Sequence, residues 1–280
     1  MKLIADSSCD VHTLAGVSFC AVPLTISTEE QSFLDDSSLD VKRMLDHLRE
    51  YKGRSYTACP GVDAWLQAFG EEEEIYVVTI TSSLSGAYNS AMAARELYLQ
   101  EHPGANIAVF DSLSTGPEIL LLLEKIAELT RQGMAFQQVV ETVEAYMHRT
   151  RLFFTLHSLH NLAQNGRVNK VVAAAVGVMN IRILGTASPE GTLATITKAR
   201  GDKRATAALL EQLEQAGYRG GKLRLTHVHN GDLAVSVAGA IREKYPQADI
   251  HVSASGGLCS YYAEEGSLLV GVETEVFICQ

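Results

Sequence analysis

Residues 75–88 read IYVVTITSSLSGAY, a compact apolar run that breaks into hydroxyl residues and then into small residues. A short continuous apolar run such as Ile75–Thr81 is typical of a strand that is buried on both faces, as in a parallel sheet. The residues from Gly86 onward carry the periodicity of a helix. This segment therefore predicts a strand, a polar turn and a helix, the repeating unit of an α/β fold.

The same alternation continues on both sides of this segment. Lys2–Asp6 and Ile107–Asp111 are further predicted strands. The predicted helices are Asp40–Tyr51, Gly61–Phe69, Gly86–His102 and Glu118–Gln132. Strands that alternate with helices in this way predict a mostly parallel sheet with helices on both faces.

A second unit is predicted from residue 151 onward. Its expected strands are Leu152–Leu156, Leu193–Lys198, Leu223–Val228, Ile250–Ala254 and Leu268–Phe277, and its expected helices are His157–Asn165, Val168–Val178, Asp202–Gly217 and Asp232–Tyr245. Several of these strands follow one another without a long crossover, so this sheet should be mixed or antiparallel. We therefore predict an α/β protein of two domains, residues 1–150 and residues 151–280.

Charge and composition exclude some classes of function. The 280 residues carry 23 Lys and Arg against 33 Asp and Glu, and only 7% are aromatic, which disfavours a general nucleic-acid binder. The charge is uneven, with 10 basic and 22 acidic side chains in residues 1–150 but 13 and 11 in residues 151–280. The second half is expected either to carry ordinary solvated charges or to meet an anionic ligand or an acidic partner.

The cysteines and the apolar runs indicate the compartment. Five widely spaced cysteines without a C-x-x-C pair predict neither disulfides nor a zinc site. No apolar run approaches the roughly 20 residues of a membrane span, and no G-x-x-x-x-G-K-[ST] phosphate loop is present. We therefore expect a cytoplasmic protein with no stable membrane insertion, no metal and no cofactor, which is not itself a kinase.

Four polar turns follow predicted strands or precede predicted helices. They are residues 6–10 (DSSCD), 57–61 (TACPG), 81–88 (TSSLSGAY) and 111–116 (DSLSTG). Each alone is explained by the ordinary use of Ser, Thr and Asp as helix N-caps. Together they predict hydroxyl groups and free backbone N–H groups at one edge of a sheet, where anions bind. Thr57 and Ser85 are the candidate donors to a carboxylate.

A series of six short motifs resembles the DegV family over essentially the whole chain. The motifs are residues 6–10 (DSSCD), 22–24 (VPL), 57–60 (TACP), 82–88 (SSLSGAY), 111–112 (DS) and 165–168 (NGRV). The resemblance implies a bacterial protein of two α/β domains that binds one long-chain fatty acid and needs no cofactor. It also implies a carboxylate held between the domains, an acyl tail in an apolar tunnel, and presentation of the carboxyl group to a separate ATP-dependent fatty acid kinase.

The resemblance also assigns roles to individual residues. It implies that Thr57 and Ser85 bind the carboxylate. It further implies supporting roles for Gly86, Arg167 and Tyr262, and contact with the phosphoryl group or the partner for Arg200. Ordinary explanations remain for both arginines: Arg167 follows a helix stop at Asn165-Gly166, where it would meet the helix dipole, and Arg200 lies in a basic cluster that water alone could solvate.

The chain departs from the family pattern in three places. TACP stands where the family has T-S-Q-P, and Arg182-Ile183 stands where it has a lysine and a proline. Tyr262 aligns with a family histidine. The tyrosine at the position of the family histidine is expected to affect presentation to the kinase rather than binding of the fatty acid.

The acyl tail requires an apolar tunnel, and candidate residues cluster around Arg167. They are Phe153, Phe154, Leu159, Leu162, Val171, Val172, Val176, Met179, Ile181, Ile183 and Leu184. An alternative function from another class is a small serine hydrolase or acyltransferase that uses Ser85 as its nucleophile. Residues 83–87 lack the flanking glycines of a G-x-S-x-G elbow, and the sequence places no base beside Ser85.

Overall fold

The computed structural model describes residues 1–168 and 180–275. Its strands are β1 (Lys2–Asp6), β2 (Phe19–Val22), β3 (Thr25–Ser27), β4 (Ser32–Leu34), β5 (Tyr56–Ala58), β6 (Glu74–Thr79), β7 (Asn106–Asp111), β8 (Thr150–Leu156), β9 (Ile181–Ala187), β10 (Leu193–Arg200), β11 (Lys222–His227), β12 (Asp249–Ala254) and β13 (Leu268–Glu273). Its helices are α1 (Val41–Glu50), α2 (Val62–Phe69), α3 (Ala87–Glu101), α4 (Pro117–Arg131), α5 (Phe136–Met147), α6 (His160–Gln164), α7 (Asp202–Gln215), α8 (Gly231–Lys244) and α9 (Gly257–Ala263).

The first sheet is fully parallel, with strand order β2-β1-β6-β7. Consecutive residues of its central strands, such as Leu3, Ile4 and Ala5, are all inaccessible to solvent. Because successive side chains of a strand point to opposite faces, this burial means that both faces are covered. The continuous apolar runs of the sequence are explained by this double burial, and the predicted parallel sheet is confirmed.

The second sheet is mixed, as predicted, with strand order β10-β9-β8-β13-β11-β12. Only β11 and β12 pair in parallel, and the other neighbours are antiparallel. Helix α4 packs against β1 and β6 of the parallel sheet and against β8, β11 and β13 of the mixed sheet. Its residues 117–123 are all buried, as expected for a helix covered all round.

A small third sheet, with order β4-β3-β5, is antiparallel and was not predicted. Each of its strands has only three residues, too few to show an alternation in the sequence. Strand β2, strand β9 and helices α5 and α9 were also missed. The sheet matters for function because Thr57 is the middle residue of β5.

The other predicted elements agree with the structure to within two residues at each end, with three exceptions. The strand expected over Leu268–Phe277 ends at Glu273, and the last two residues of that prediction, Val276 and Phe277, lie outside the described residues. The helix expected over His157–Asn165 begins only at His160. The helix expected over Val168–Val178 lies, apart from Val168, outside the described residues.

None of the described helices combines the length and the apolar character needed to cross a bilayer. The proposed division at residue 150 coincides with the start of β8 in the mixed sheet. It stays a prediction, because α4 and α9 each pack against elements from the other half of the chain.

Candidate functional site

A cavity of about 300 Å³ lies where the parallel sheet, the small sheet and the mixed sheet meet. Its lining is Leu24, Thr57, Ala58, Cys59, Ile80, Leu84, Ser85, Gly86, Thr115, Leu152, Phe154, Leu156, Leu162, Arg167, Leu193, Leu258, Cys259, Tyr262, Ala263 and Leu269. Both halves of the chain contribute to this wall. A largely apolar pocket with a few polar groups is the usual form of a small-molecule site.

The polar groups of the cavity come from separate elements of the fold. Thr57 comes from β5, Ser85 from the loop before α3, Arg167 from the segment after α6, and Tyr262 from α9. The Thr57 Oγ1 and Tyr262 hydroxyl oxygens lie 2.7 Å apart, within hydrogen-bond distance. The fold therefore brings together four of the residues that the sequence singled out, although they span more than 200 positions.

Among the described residues, Arg167 is the one charged side chain in the lining, and the backbone orients it. Gly166 adopts φ +73°, and the Arg167 N–H donates to the Leu162 carbonyl at 2.8 Å, so α6 ends in a glycine C-cap as expected. Arg167 Nε donates to the Leu84 carbonyl at 3.2 Å, and Nη1 donates to the Asn165 carbonyl at 2.5 Å. Its guanidinium carbon lies 5.9 Å from the centre of the Tyr262 ring.

Ser85 and Gly86 stand directly before α3. Ser85 Oγ accepts a hydrogen bond from the Ala87 N–H at 3.3 Å, and further free N–H groups of the first helical turn follow. A Cβ atom on Gly86 would lie 3.2 Å from Cys59 Sγ, so the glycine lets the two loops approach closely. The N-terminus of this 15-residue helix adds positive potential for a bound anion.

Tyr262 is a neutral hydrogen-bond donor at physiological pH. Burial raises the pKa of its phenol, against the opposing effects of the Thr57 hydroxyl and the Arg167 charge. The family histidine that it replaces would titrate near neutral pH. The polar end of the cavity thus combines hydroxyl donors with one fixed positive charge.

A second cavity of about 270 Å³ extends the apolar end. It shares Phe154, Leu156 and Leu193 with the first cavity. Its remaining wall is Leu159, Val168, Ile183, Ala194 and Thr195. Because Phe154 and Leu156 lie on the same face of β8, the two cavities adjoin along that face.

The predicted tunnel residues divide by strand face. Phe154, Leu159, Leu162 and Ile183 line one or both of these cavities. Phe153 and Leu184 instead pack on the opposite face of the mixed sheet, against residues of α7 and α8. Ile181 lines neither cavity. The remaining predicted residues, Val171, Val172, Val176 and Met179, lie outside the described residues.

Arg200 does not lie in the cavity. It is an exposed residue at the end of β10, seven positions along that edge strand from Leu193. Arg200 pairs with Ile181 of β9, two residues from Ile183 in the wall of the second cavity, but Arg200 itself lines neither cavity. Its expected role in partner contact stays a prediction.

Comparison with known proteins identifies the family. The model of the DegV family matches residues 1–275. The chain belongs to the DegV family. A DegV domain-containing protein of Streptococcus pneumoniae is 44% identical over 98% of this chain and 99% of its own length.

Solved DegV structures share the whole architecture. A DegV family protein from Eubacterium eligens, loaded with heptadecanoic acid, is 54% identical with a TM-score of 0.96 over 98% of this chain and 99% of that one. The Fatty Acid Kinase (Fak) B3 protein from Streptococcus pneumoniae, loaded with linoleic acid, is 44% identical with the same TM-score and the same coverage. The predicted DegV-like α/β fold is confirmed.

Ser85 has no candidate base beside it among the described residues of this DegV cavity. Over those residues, the lining contains no His, Asp, Glu or Lys. Ser85 Oγ accepts a hydrogen bond from the backbone N–H of Ala87. Over the same residues, no group of three or more His, Cys, Asp or Glu side chains is arranged to hold a metal ion.

Two polar residues of the DegV cavity were missed in the sequence. Cys259 lies on the short helix α9, which has no periodic signal, and its Sγ lies 3.7 Å from Thr115 Oγ1. Thr115 belongs to the polar turn over residues 111–116, so its position at a strand end was available as a signal.

Proposed function

We propose that this DegV protein binds one long-chain fatty acid in the two adjoining cavities and presents its carboxyl group to a separate fatty acid kinase. The observation that carries the proposal is that two cavities with a shared wall differ in their lining, one with several polar groups and the other almost wholly apolar. Over the described residues, the first has Thr57, Ser85 and Arg167, and the second has apolar side chains and Thr195.

The polar end suits a carboxylate. Thr57 and Ser85 supply hydroxyl donors, Arg167 supplies a positive charge, and Gly86 leaves room for the anion to approach the start of α3. Hydrogen bonds to a charged group contribute about 1.5–3 kcal/mol each. Such a site favours a carboxylate over a neutral headgroup.

The apolar end suits an acyl chain. Burial of about 14 methylene groups at roughly 0.8 kcal/mol each would contribute about 11 kcal/mol before ordering costs. The two cavities together offer about twice the volume of the first alone. A ligand held this tightly would remain bound through purification.

Relatives support the choice of ligand and partner. The Eubacterium eligens and Streptococcus pneumoniae proteins carry heptadecanoic and linoleic acid, and the second is named as part of a fatty acid kinase.

We propose a cytoplasmic location, where free thiols such as Cys59 stay reduced. Arg200 is proposed as a contact for the kinase, since its exposed side chain has no ion pair with any described residue.

Mass spectrometry tests the proposal directly. Protein purified without added lipid should carry one C14–C18 fatty acid, seen in the native spectrum and again after organic extraction. Delipidated protein should then bind added palmitate with 1:1 stoichiometry in a calorimetric titration. Protein that carries no fatty acid and gives no heat with palmitate would contradict the proposal.

The kinase step has its own test. Incubated with a fatty acid kinase and ATP, the palmitate-loaded protein should yield acyl phosphate, and Arg200→Ala should bind palmitate normally but yield less. An unchanged rate in Arg200→Ala would remove the role proposed for that residue.

A further inference from the structure

The loop that presents Ser85 is held by a turn from the mixed sheet. Residues 188–192 form this turn between β9 and β10, and we call it the β9–β10 turn. Ser83 Oγ donates a hydrogen bond of 2.5 Å to the Glu190 carbonyl. The loop over residues 81–86 is thus contacted by a segment that lies more than 100 positions away.

The approach of this turn depends on Gly191. Gly191 adopts φ +75°, and a Cβ atom there would lie 2.1 Å from Thr81 Oγ1 and 3.1 Å from the Leu113 Cα. Thr81 is buried and Leu113 presents backbone, so neither can move aside easily. Any side chain at position 191 would push the turn away from the loop.

Thr81, which Gly191 contacts, also holds the backbone turn that carries Ser85. Its carbonyl accepts the N–H groups of Leu84 at 3.1 Å and Ser85 at 3.2 Å, and its Oγ1 accepts the Ser83 N–H at 3.2 Å. Thr81 therefore organises the backbone turn that aims Ser85 into the cavity. Gly191 packs directly on Thr81, so the position of the β9–β10 turn bears on the position of Ser85.

The same turn is followed directly by a residue of the wall of the second cavity. Leu193, two residues after Gly191, lines both cavities. The loop that carries Ser85 and the cavity wall at Leu193 are therefore linked through the β9–β10 turn. Separation of the turn from the loop would loosen both ends of the site at once.

We propose that Ser83 and Gly191 are positioning residues that hold the β9–β10 turn against the Ser85 loop, and that release of this contact sets the rate of ligand exchange. The part concerning exchange rests on the proposed binding of a fatty acid. The part concerning the Ser85 loop does not depend on any ligand.

Two pairs of variants isolate the contact. Ser83→Ala removes its hydrogen bond to Glu190, and its control Ser82→Ala removes a neighbouring exposed hydroxyl that bonds to no described residue. Gly191→Ala introduces the clash with Thr81. Its control Gly133→Ala has nearly the same positive φ, +73°, but no atom within 4 Å of the added Cβ.

The first measurement is amide hydrogen exchange on ligand-free protein. Peptides that cover residues 81–87 should exchange about 2- to 10-fold faster in Ser83→Ala and faster in Gly191→Ala than in their controls. The thermal midpoint of Ser83→Ala should lie slightly below that of Ser82→Ala, because the lost hydrogen bond also stabilises the folded state. Equal exchange in each variant and its control would overturn the positioning role, whether or not the protein binds fatty acid.

The second measurement is the release of parinaric acid, a fluorescent C18 fatty acid, into excess unlabelled oleate in a stopped-flow instrument. Ser83→Ala and Gly191→Ala should release the probe about 2- to 10-fold faster than Ser82→Ala and Gly133→Ala. Equal release rates would overturn the role in exchange. Failure of the wild-type protein to bind the probe would instead contradict the proposed function, and the hydrogen-exchange result would still stand.

Discussion

Ser85 belongs to the polar turn over residues 81–88 and lines the candidate site. Its hydroxyl faces the cavity at the start of α3, with a backbone donor on one side and Arg167 in the same lining. A nucleophile would need a base in that lining, whereas a carboxylate ligand needs donors. The described residues of the cavity supply donors.

Loss of the Ser85 hydroxyl should weaken fatty-acid binding. Ser85→Ala removes one hydrogen bond to the carboxylate, so we expect a loss of about 1.5–3 kcal/mol of binding free energy for palmitate. Isothermal titration of delipidated protein measures it, with Ser82→Ala as the control outside the cavity. An affinity equal to that of the control would show that Ser85 does not bind the carboxylate.

Helix α9 carries Tyr262 into the cavity and is anchored by two carboxylates from the first half of the chain. Asp10 Oδ1 accepts the Gly256 N–H at 2.8 Å, and Asp35 accepts the N–H groups of Gly257 at 2.7 Å and Leu258 at 2.9 Å. The second Asp10 oxygen is buried and accepts no hydrogen bond of ordinary geometry from the described residues, although Cys259 and Thr226 lie near the carboxylate. This anchor is therefore satisfied only in part when Asp10 is ionised.

The anchor should make stability depend on pH. Burial raises the pKa of Asp10 to about 7, whereas the unfolded value is near 4. The folded state thus holds a proton that the unfolded state has lost between about pH 4 and pH 7, so stability should fall as pH rises through this window, by up to about 1.4 kcal/mol per pH unit. Asp6, with a pKa raised by burial to about 6, acts in the same direction.

Urea unfolding at pH 5.5 and pH 7.5 measures this effect. The change in free energy of unfolding from pH 7.5 to pH 5.5 should favour pH 5.5 more in the wild-type protein than in Asp10→Asn, while His157 and His227, whose pKa values are lowered by burial, act in the opposite direction in both proteins. An undiminished difference in Asp10→Asn would mean that Asp10 is not the group that titrates.

Helix α4 joins the two larger sheets through a buried charge cluster. Arg224 of β11 donates two hydrogen bonds of 2.8 Å to Glu124, and one of 2.9 Å to each of the carboxylate and the backbone carbonyl of Asp249. The Arg224 side chain is only 7% exposed, so removal of one partner leaves a poorly compensated buried charge.

Neutralisation of Glu124 should lower the free energy of unfolding. Glu124→Gln is expected to cost about 1–3 kcal/mol in urea denaturation. Glu128→Gln on the same helix is the matched control, since its ion pairs with Lys125 and Lys222 are more exposed and contribute about 0–1 kcal/mol. Equal effects of the two variants would contradict the importance assigned to the buried cluster.

For the whole molecule, the proposed ligand would touch strands of the small and mixed sheets and the loops that follow strands of the parallel sheet. A compound that binds only the folded state stabilises it by about 2.7 kcal/mol at a free concentration of 100 times its Kd. Delipidated protein should therefore melt at a lower temperature than protein with palmitate, and added palmitate should restore the midpoint. Palmitate methyl ester, which lacks the charged carboxylate, is the control and should raise the thermal midpoint less. Identical midpoints with and without palmitate would contradict the proposed site.

The arrangement of elements along the chain could be predicted to a large extent without coordinates. Burial on both faces leaves continuous apolar runs, as in Ile75–Thr81, and most of the longer helices leave a periodic pattern, although the 12-residue α5 was missed. The three-residue strand β5 and the seven-residue helix α9 show no such pattern, and they are stabilised by their neighbours. Those two elements carry Thr57 and Tyr262, so the site depends on the parts of the fold that are least visible in the sequence.

The candidate site itself was predicted as a set of residue types and motifs, and its geometry arose from packing. The polar turns could be identified from the local sequence. Hydroxyl residues before a helix cap its free N–H groups, and a glycine after a helix adopts the left-handed conformation that ends it. The 2.7 Å contact of Thr57 with Tyr262, the shared wall of the two cavities and the position of Arg200 outside them join residues far apart in the chain. Distances of that kind are set by how sheets and helices stack, and a linear pattern carries no information about them.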